Sequence, residues 1–145
     1  MTVRFKKLND RAVVPTYGSP SSAGADLYSA EVNDVTIDPG NTALIHTGIA
    51  CEIPEGYVGL IFARSGLAAK RGLAPANKVG VIDSDYRGEL MVSLYNQSPD
   101  IQTVERRERI AQLALVPYLR AEFEEADELS DTERGEGGFG STGRK

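Results

Sequence analysis

The chain has 145 residues and a mass of 15.6 kDa, which suits a single domain with one hydrophobic core. Hydrophobic residues make up 41% and charged residues 26%, values that exclude wholesale disorder. The formal net charge of −5 disfavours a nucleic-acid polymer as partner, because such a partner requires basic residues to neutralise its phosphates.

The chain has a single cysteine, Cys51, and a single histidine, His46, which limits the disulfides and metal sites it can form. One cysteine cannot form an intramolecular disulfide, and two such residues are too few for an ordinary zinc site. No apolar run is long enough to cross a membrane, and the basic N-terminus lacks the apolar stretch of a secretory signal. We therefore predict a cytoplasmic protein that does not bind membranes.

The sequence predicts many short strands and almost no helix, an antiparallel all-β sandwich, barrel or jelly roll. In chain order the predicted strands are residues 35–37, 42–53, 57–62, 79–82, 89–95, 101–104 and 110–118. Pro54-Glu55-Gly56 suggests that the second and third of these form a hairpin. The one predicted helix is Ser65–Arg71, closed by Gly72.

The composition changes near the C-terminus, where an acidic stretch precedes a glycine-rich segment. We predict a core domain over residues 1–129 and a flexible arm over residues 130–145, because the arm has almost no core-forming side chains. Gly135-x-Gly137-x-x-Gly140 matches a dinucleotide fingerprint, but it follows no strand and leaves no room for a helix, so a Rossmann site is excluded. Glycine amides could still contact phosphate oxygens.

Three internal segments carry groups suited to phosphate chemistry. Arg64-Ser65-Gly66 stands where a strand enters the predicted helix, and would be either an anion site or a plain helix cap. Asp83 and Tyr86 lie in a turn-rich segment between two strands, predicted to be a hairpin, where a carboxylate could deprotonate water or merely favour a turn. Gln112 is an amide within an apolar strand and needs hydrogen-bond partners, for which a phosphate is one option.

Five segments in order resemble the trimeric dUTP pyrophosphatases (dUTPases). They are Ala23-Gly-Ala-Asp-Leu-Tyr-Ser29, Arg64-Ser-Gly66, residues 80–90, residues 109–113, and the glycine-rich segment at residues 134–143. Two flanking positions depart from the common family pattern: Ala63 replaces a proline, and Arg107-Glu108 replaces a glycine-containing turn.

The resemblance implies a distorted jelly roll of the β-clip type and Mg²⁺-dependent hydrolysis of dUTP to dUMP and diphosphate. That reaction supplies dUMP for thymidylate synthesis and keeps uracil out of DNA. The resemblance also implies a homotrimer with active sites shared between subunits. Two alternatives stay open: a dCTP deaminase-like enzyme of the same fold, and a non-catalytic nucleotide-binding trimer.

The resemblance assigns roles to individual residues. Asp83 would activate the water that attacks the α-phosphorus, and Asp26 would support the metal through water. Tyr86 would pack against the deoxyribose, and Phe139 would stack on uracil. The remaining substrate-binding residues that it implies are Arg64, Ser65, Gly66, Asn77, Val81, Ile82, Met91, Gln112, Arg134, Gly140, Ser141 and Thr142.

Overall fold

The computed structural model describes residues 1–138 and is built from short antiparallel strands around one apolar core. Its strands are β1 (Arg4–Lys7), β2 (Thr16–Tyr17), β3 (Ala25–Tyr28), β4 (Val35–Ile37), β5 (Thr42–His46), β6 (Ile49–Glu52), β7 (Tyr57–Phe62), β8 (Leu73–Pro75), β9 (Gly80–Ile82), β10 (Met91–Asn96), β11 (Gln102–Val104) and β12 (Arg109–Pro117). The helix α1 (Ser65–Arg71) ends at Gly72, as the sequence predicts. The all-β prediction is therefore confirmed.

The strands form four sheets whose pairs are all antiparallel. The largest has the order β2-β3-β12-β7-β9, and the others are β5-β10-β8, β1-β6 and β11-β4. Fully buried leucine, isoleucine and valine side chains from several sheets meet in the core, among them Leu27, Ile45, Leu94 and Ile110. The five-stranded sheet carries most of the predicted site, because β3, β12 and β9 hold or adjoin three of the five segments.

The prediction of one strand over residues 42–53 is wrong. The run is divided into β5 and β6, which belong to different sheets. The break falls at Gly48, which has φ +65° and where a Cβ atom would lie 2.7 Å from the Asn9 side-chain nitrogen. The β propensity of this run is continuous, so only the crowded contact with residues far away in sequence reveals the break.

Both predicted hairpins are also wrong. Strand β6 pairs with β1, whereas β7 pairs with β12 and β9, so residues 42–62 contain no hairpin. Strand β9 pairs with β7, whereas β10 pairs with β5 and β8. Residues 83–90 therefore form a connection between two sheets, which we call the 83–90 loop. Closeness in sequence favours pairing β6 with β7 and β9 with β10. In the structure these strands are instead buried by pairing with strands further away in sequence.

Four strands were not predicted from sequence: β1, β2, β3 and β8. Three are short or lie at sheet edges, and the residues of β1 and β2 are all exposed, so their sequences lack a clear apolar alternation. Beyond Pro117 the described chain has no helix or strand as far as residue 138. No helix among the described residues is long and apolar enough to cross a membrane.

The turn at residues 105–108 carries local backbone strain. Arg107 has φ +61°, a left-handed conformation that costs a non-glycine residue about 1–2 kcal/mol. The turn is closed by a 3.2 Å hydrogen bond from Glu108 N to Glu105 O. We expect Arg107→Gly to be more stable than the matched Arg107→Ala by about 1 kcal/mol, because only glycine adopts this φ freely. Urea unfolding of the two variants measures the difference; equal stabilities would contradict the argument.

Candidate active site

Two arginine side chains, from Arg64 and Arg109, contact the carboxylate of Asp26 on β3. Arg64 Nε donates to Asp26 Oδ1 at 2.8 Å, and an Arg109 guanidinium nitrogen donates to Oδ2 at 3.2 Å. Arg64 also donates to the Arg109 carbonyl oxygen at 3.2 Å. We call Asp26, Arg64 and Arg109 the Asp26 cluster. One carboxylate between two guanidinium groups leaves the cluster with one net positive charge, which suits an anion.

Gln112 lies beside this cluster on β12, opposite both Asp26 and Phe62. Its side-chain nitrogen donates to the Ala63 carbonyl oxygen at 2.9 Å, which joins β12 to the entrance of α1. A Cβ atom on Gly24 would lie 2.6 Å from the Gln112 side-chain oxygen, so this close approach requires glycine. The polar residue within an apolar strand thus finds a backbone partner. Its half-buried amide oxygen remains near Gly24.

Ser65 and Gly66 form the first turn of α1 and are exposed. Arg64 precedes the helix in an extended conformation (φ −85°, ψ 129°) and makes no side-chain capping hydrogen bond. The departure from the family pattern at Ala63 does not alter this geometry, since the contact that Ala63 makes uses its carbonyl oxygen. The helix N-terminus therefore has no side-chain cap, and the anion site at this position stays a prediction.

Asp83 is exposed and lies at the start of the 83–90 loop. Together with Val81 and Asp85 it lines an open cavity of about 860 Å³. The remaining lining residues include Val58 on β7 and three residues that the sequence did not single out: Glu55, Tyr118 and Arg120. No sequence signal marks those three, because they lie in turns and at a strand end and approach Asp83 only through the fold.

Tyr86 is held rigidly within the 83–90 loop. Its hydroxyl donates to the Glu89 carbonyl oxygen at 3.0 Å, and a Cβ atom on Gly88 would lie 2.3 Å from that hydroxyl. The ring therefore folds over Gly88 while 40% of the residue stays exposed. A hydrogen bond of 3.2 Å from Tyr86 N to Asp83 O closes the turn between them. The loop thus carries a carboxylate and an aromatic surface close together.

The other residues predicted to contact the uracil ring lie on or between the strands around this loop. Ile82 ends β9 and is half-buried, and Met91 begins β10 opposite His46. Asn77 is exposed in the β8–β9 connection, with its side-chain nitrogen near the backbone of Gly80.

Arg134 lies apart from both groups, with its Nε donating to Gly137 O at 2.7 Å. Phe139, Gly140, Ser141 and Thr142 lie outside the described residues.

Glu89, near the end of the 83–90 loop, attaches the loop to β5 and to the residue just before β6. One Glu89 oxygen accepts from His46 Nδ1 at 2.9 Å and the other from Gly48 N at 2.7 Å. The hydrogen bond to Glu89 raises the pKa of His46 above its ordinary 6.5, and the charges of Glu89 and Glu31 act in the same direction against desolvation. His46 is a strand residue, as the sequence predicts.

This pair predicts a small pH dependence of stability. Because the folded-state pKa is raised, the contribution of His46 is fully present below pH 6.5 and is lost as the pH rises through the raised value. The pair is partly exposed, so the contribution stays below about 1 kcal/mol. We expect the stability difference between the wild type and His46→Asn to shrink over that window in urea unfolding at pH 5.5–9. A difference that grows with pH would contradict this.

The fold and these groups define a class: an antiparallel β protein with a cationic, phosphate-suited cluster and a separate carboxylate loop. A sequence model of the dUTPase family matches residues 10–143. The deoxyuridine 5′-triphosphate nucleotidohydrolase of Nautilia profundicola is 51% identical over 144 residues, covering 99% of this chain and all of the relative. That of a Hydrogenobaculum species is 48% identical over the full length of both. The chain belongs to the dUTPase family.

Solved structures agree with this assignment. The Staphylococcus bacteriophage 80alpha dUTPase with dUpNHpp superposes with a TM-score of 0.86 at 34% identity, covering 98% of each chain. A mutant dUTPase from phage phi11 of S. aureus, described with a structural Mg(II) ion, gives a TM-score of 0.79 at 28% identity, covering 88% of this chain and 98% of that one. The jelly-roll-like fold that the resemblance implied is therefore confirmed.

Proposed function

We propose that this protein hydrolyses dUTP to dUMP and diphosphate, with water attacking the α-phosphorus. The observation that carries the proposal is the Asp26 cluster, which presents two fixed guanidinium groups in a chain of the dUTPase family. Such donors match phosphate oxygens in geometry and charge, and positioning with charge neutralisation supplies most of phosphoryl-transfer catalysis. The cytoplasmic location stays a prediction, based on the single cysteine in the sequence, which cannot form an intramolecular disulfide.

The phosphate chain would be held on the α1 side of the molecule. Arg64, the backbone of Ser65 and Gly66, and the Gln112 amide supply donors there. The net positive charge of the Asp26 cluster would offset the charge that accumulates on the phosphate oxygens as diphosphate leaves. The cluster is rigid before substrate arrives, so little reorganisation accompanies binding.

Magnesium fits this donor set. Within residues 1–138, no group of three or more metal-ligating side chains gathers in one place. Mg²⁺ commonly keeps several waters and binds phosphate oxygens, so it needs no carboxylate cage. Both Asp26 oxygens already accept hydrogen bonds from guanidinium groups, so Asp26 would reach a metal through water. When bound, the ion would supply additional neutralisation of phosphate charge.

Asp83 is the proposed general base. Its carboxylate would orient a water molecule, accept its proton as the oxygen attacks the α-phosphorus, and release that proton once diphosphate departs. The hydrogen bond that closes the turn between Asp83 and Tyr86 supports this role, because it keeps the residue that bears the carboxylate next to the aromatic ring. Tyr86 would pack against the deoxyribose and leave no room for a 2′-hydroxyl group.

Backbone atoms would read the uracil edge. The proposed readers are the backbone around Val81, Ile82 and Met91, with the Asn77 amide. One additional methyl group changes binding in an apolar pocket by only about 1–3 kcal/mol, so exclusion of thymine has to come from steric contact with stiff backbone. The β9 strand is stiff in this sense, because it pairs with β7 along its whole length.

The C-terminal arm would close over the bound nucleotide. Arg134 would reach the terminal phosphates, and Phe139 would stack on uracil. Gly140, Ser141 and Thr142 would donate hydrogen bonds to phosphate oxygens. Closure of such a segment excludes water from the reaction and completes the set of phosphate donors.

One chain does not bring Asp83 and the Asp26 cluster together. Ile82 pairs with Gly59 and Gln112 pairs with Phe62, so Asp83 and Gln112 lie four positions apart along β7 and on opposite sides of it. Strand geometry places their Cα atoms about 16 Å apart. Neighbouring phosphorus atoms of a triphosphate are far closer than that. A complete site would therefore combine the Asp83 side of one copy with the Asp26 cluster of another.

This separation supports the homotrimer with shared sites. The three most exposed apolar residues beyond β12 in the described chain, Leu119, Phe123 and Leu129, would also be covered by a second copy. The test of the proposed function is diphosphate release from dUTP, TTP, UTP and dCTP with Mg²⁺ present. We expect release from dUTP far above the other three. Ammonia release from dCTP without diphosphate would instead indicate the deaminase, and binding of dUTP without turnover a non-catalytic protein.

A further inference from the structure

Arg71, the last residue of α1, binds three acceptors on the segment that leads into β12. Its Nε donates to Gln102 Oε1 at 3.1 Å, and its two terminal nitrogens donate to the Glu108 carboxylate and to the Thr103 carbonyl oxygen. The side chain is only 30% exposed and that of Glu108 only 19%. Charge-assisted bonds in such partly buried positions are stronger and more directional than surface ion pairs.

The opposite end of α1 is attached to the same segment. Arg64, immediately before the helix, donates to the Arg109 carbonyl oxygen and to Asp26. Glu108, the partner of Arg71, directly precedes Arg109 in the chain. The helix and the start of β12 are therefore joined at two points, one at each end of a rigid seven-residue helix. This closed ring of contacts fixes the distance between the Arg64 and Arg109 backbones.

The segment that Arg71 contacts carries local backbone strain. It includes the turn at residues 105–108, in which Arg107 has φ +61°. The second Glu108 oxygen accepts from Glu105 N at 2.9 Å, and the Glu108 carbonyl oxygen accepts from Ser29 N at 2.8 Å. Glu108 thus links the turn both to Arg71 and to the end of β3, the strand that carries Asp26.

We propose that Arg71 is a positioning residue for the triphosphate: through Glu108 it sets the spacing of Arg64 and Arg109 that receives the outer phosphates. Arg71 itself touches no substrate in this proposal, which rests on the proposed function. Its effect depends on geometry, because guanidinium groups match phosphate oxygens only at a defined separation and orientation. Loss of the attachment would leave the Asp26 cluster present but free to adopt several spacings.

The test compares two ligands that differ only in the outer phosphates. Calorimetric binding of dUpNHpp and of dUMP is measured for the wild type, Arg71→Ala and the matched control Lys70→Ala, which removes the exposed neighbouring cation of α1. For Arg71→Ala we expect dUpNHpp to bind about tenfold more weakly and dUMP to change by less than about twofold. The control should match the wild type for both ligands.

A merely structural role would give a different pattern. It would lower the melting temperature and weaken both ligands by the same factor, and that outcome would overturn the proposal, as would undiminished dUpNHpp binding. Arg71→Lys keeps the charge, but its donor hydrogens lie on a single nitrogen and cannot reach three acceptors that Arg71 contacts through three separate nitrogens. We therefore expect an intermediate loss of dUpNHpp affinity; wild-type affinity there would also overturn the proposal. Failure of the wild type to release diphosphate from dUTP would count against the proposed function instead.

Discussion

Replacing Asp83 by asparagine is expected to lower kcat for dUTP hydrolysis by at least about a hundredfold while nucleotide binding is preserved. A general base contributes roughly 10²- to 10⁴-fold to a rate, and an amide of the same shape cannot accept the proton from water. The side chain is exposed and lies at the rim of an open cavity, so the substitution should leave the fold unchanged. The measurements are steady-state diphosphate release and the dissociation constant of dUpNHpp.

Asp85→Asn is the matched control for this experiment. Asp85 lies two residues further along the same loop and lines the same cavity, so its substitution removes an equal charge from nearly the same place. If Asp83 acts by proton transfer, Asp85→Asn should retain kcat within about threefold, an effect expected from altered local charge alone. Equal losses in the two variants would show that the net charge of the loop, and not a base at position 83, supports turnover.

The helix and the core strands could be predicted from sequence because their signals are local. The glycine that closes α1 and the nearly continuous apolar runs of β7 and β12 depend on neighbouring residues only. The hairpins were wrong because pairing is decided by which sheet buries a strand. Short strands joined by turns favour a hairpin locally, yet β9 and β10 pair with β7 and β5, whose positions no local pattern reveals.

The candidate site likewise contains residues that the sequence singles out and residues that only the fold reveals. The local sequence singles out Arg64, Gln112 and Asp83 as candidates, and the family resemblance supplies their roles, which stay predictions. Arg109 was not included among the predicted binding residues, although the fold places it on Asp26 at 3.2 Å. The sequence marks Arg109 only as the first residue of the segment at residues 109–113, and its contact with Asp26 depends on the pairing of β12 with β3, which the sequence does not predict. The contacts of Arg71 could not be predicted at all, because its partners lie 31–37 positions away in sequence.

The turn at residues 105–108 shows what a departure from a family pattern can mean physically. The family commonly has a glycine-containing turn here, and this chain places Arg107 in a left-handed conformation that glycine would adopt without strain. The chain thus adopts this backbone path without the residue that favours it. Glu108 and Arg71 supply side-chain contacts that hold the turn in that path.

The second large effect is expected from deletion of residues 134–145. The last strand ends at Pro117, and the hydrogen bonds of Arg134 and Gly135 are to residues between 132 and 137. Among the described residues of this segment, 134–138, these hydrogen bonds are all local, so we expect the melting temperature to change by no more than about 2–4 °C, the shift that about 1 kcal/mol gives in a domain of this size. Circular dichroism of the truncated protein measures this directly.

Activity should respond very differently from stability. The arm would supply Arg134, the Phe139 ring and the glycine amides, and misplacement of positioning groups by about 1 Å can already cost a hundredfold in rate. We therefore expect kcat/KM for dUTP to fall at least about a hundredfold. Deleting only residues 144 and 145 is the matched control, because it shortens the chain but keeps the whole motif at residues 134–143. Normal activity in the longer deletion would remove the arm from the mechanism, whereas a comparable loss in the control would trace the effect to the terminal charges.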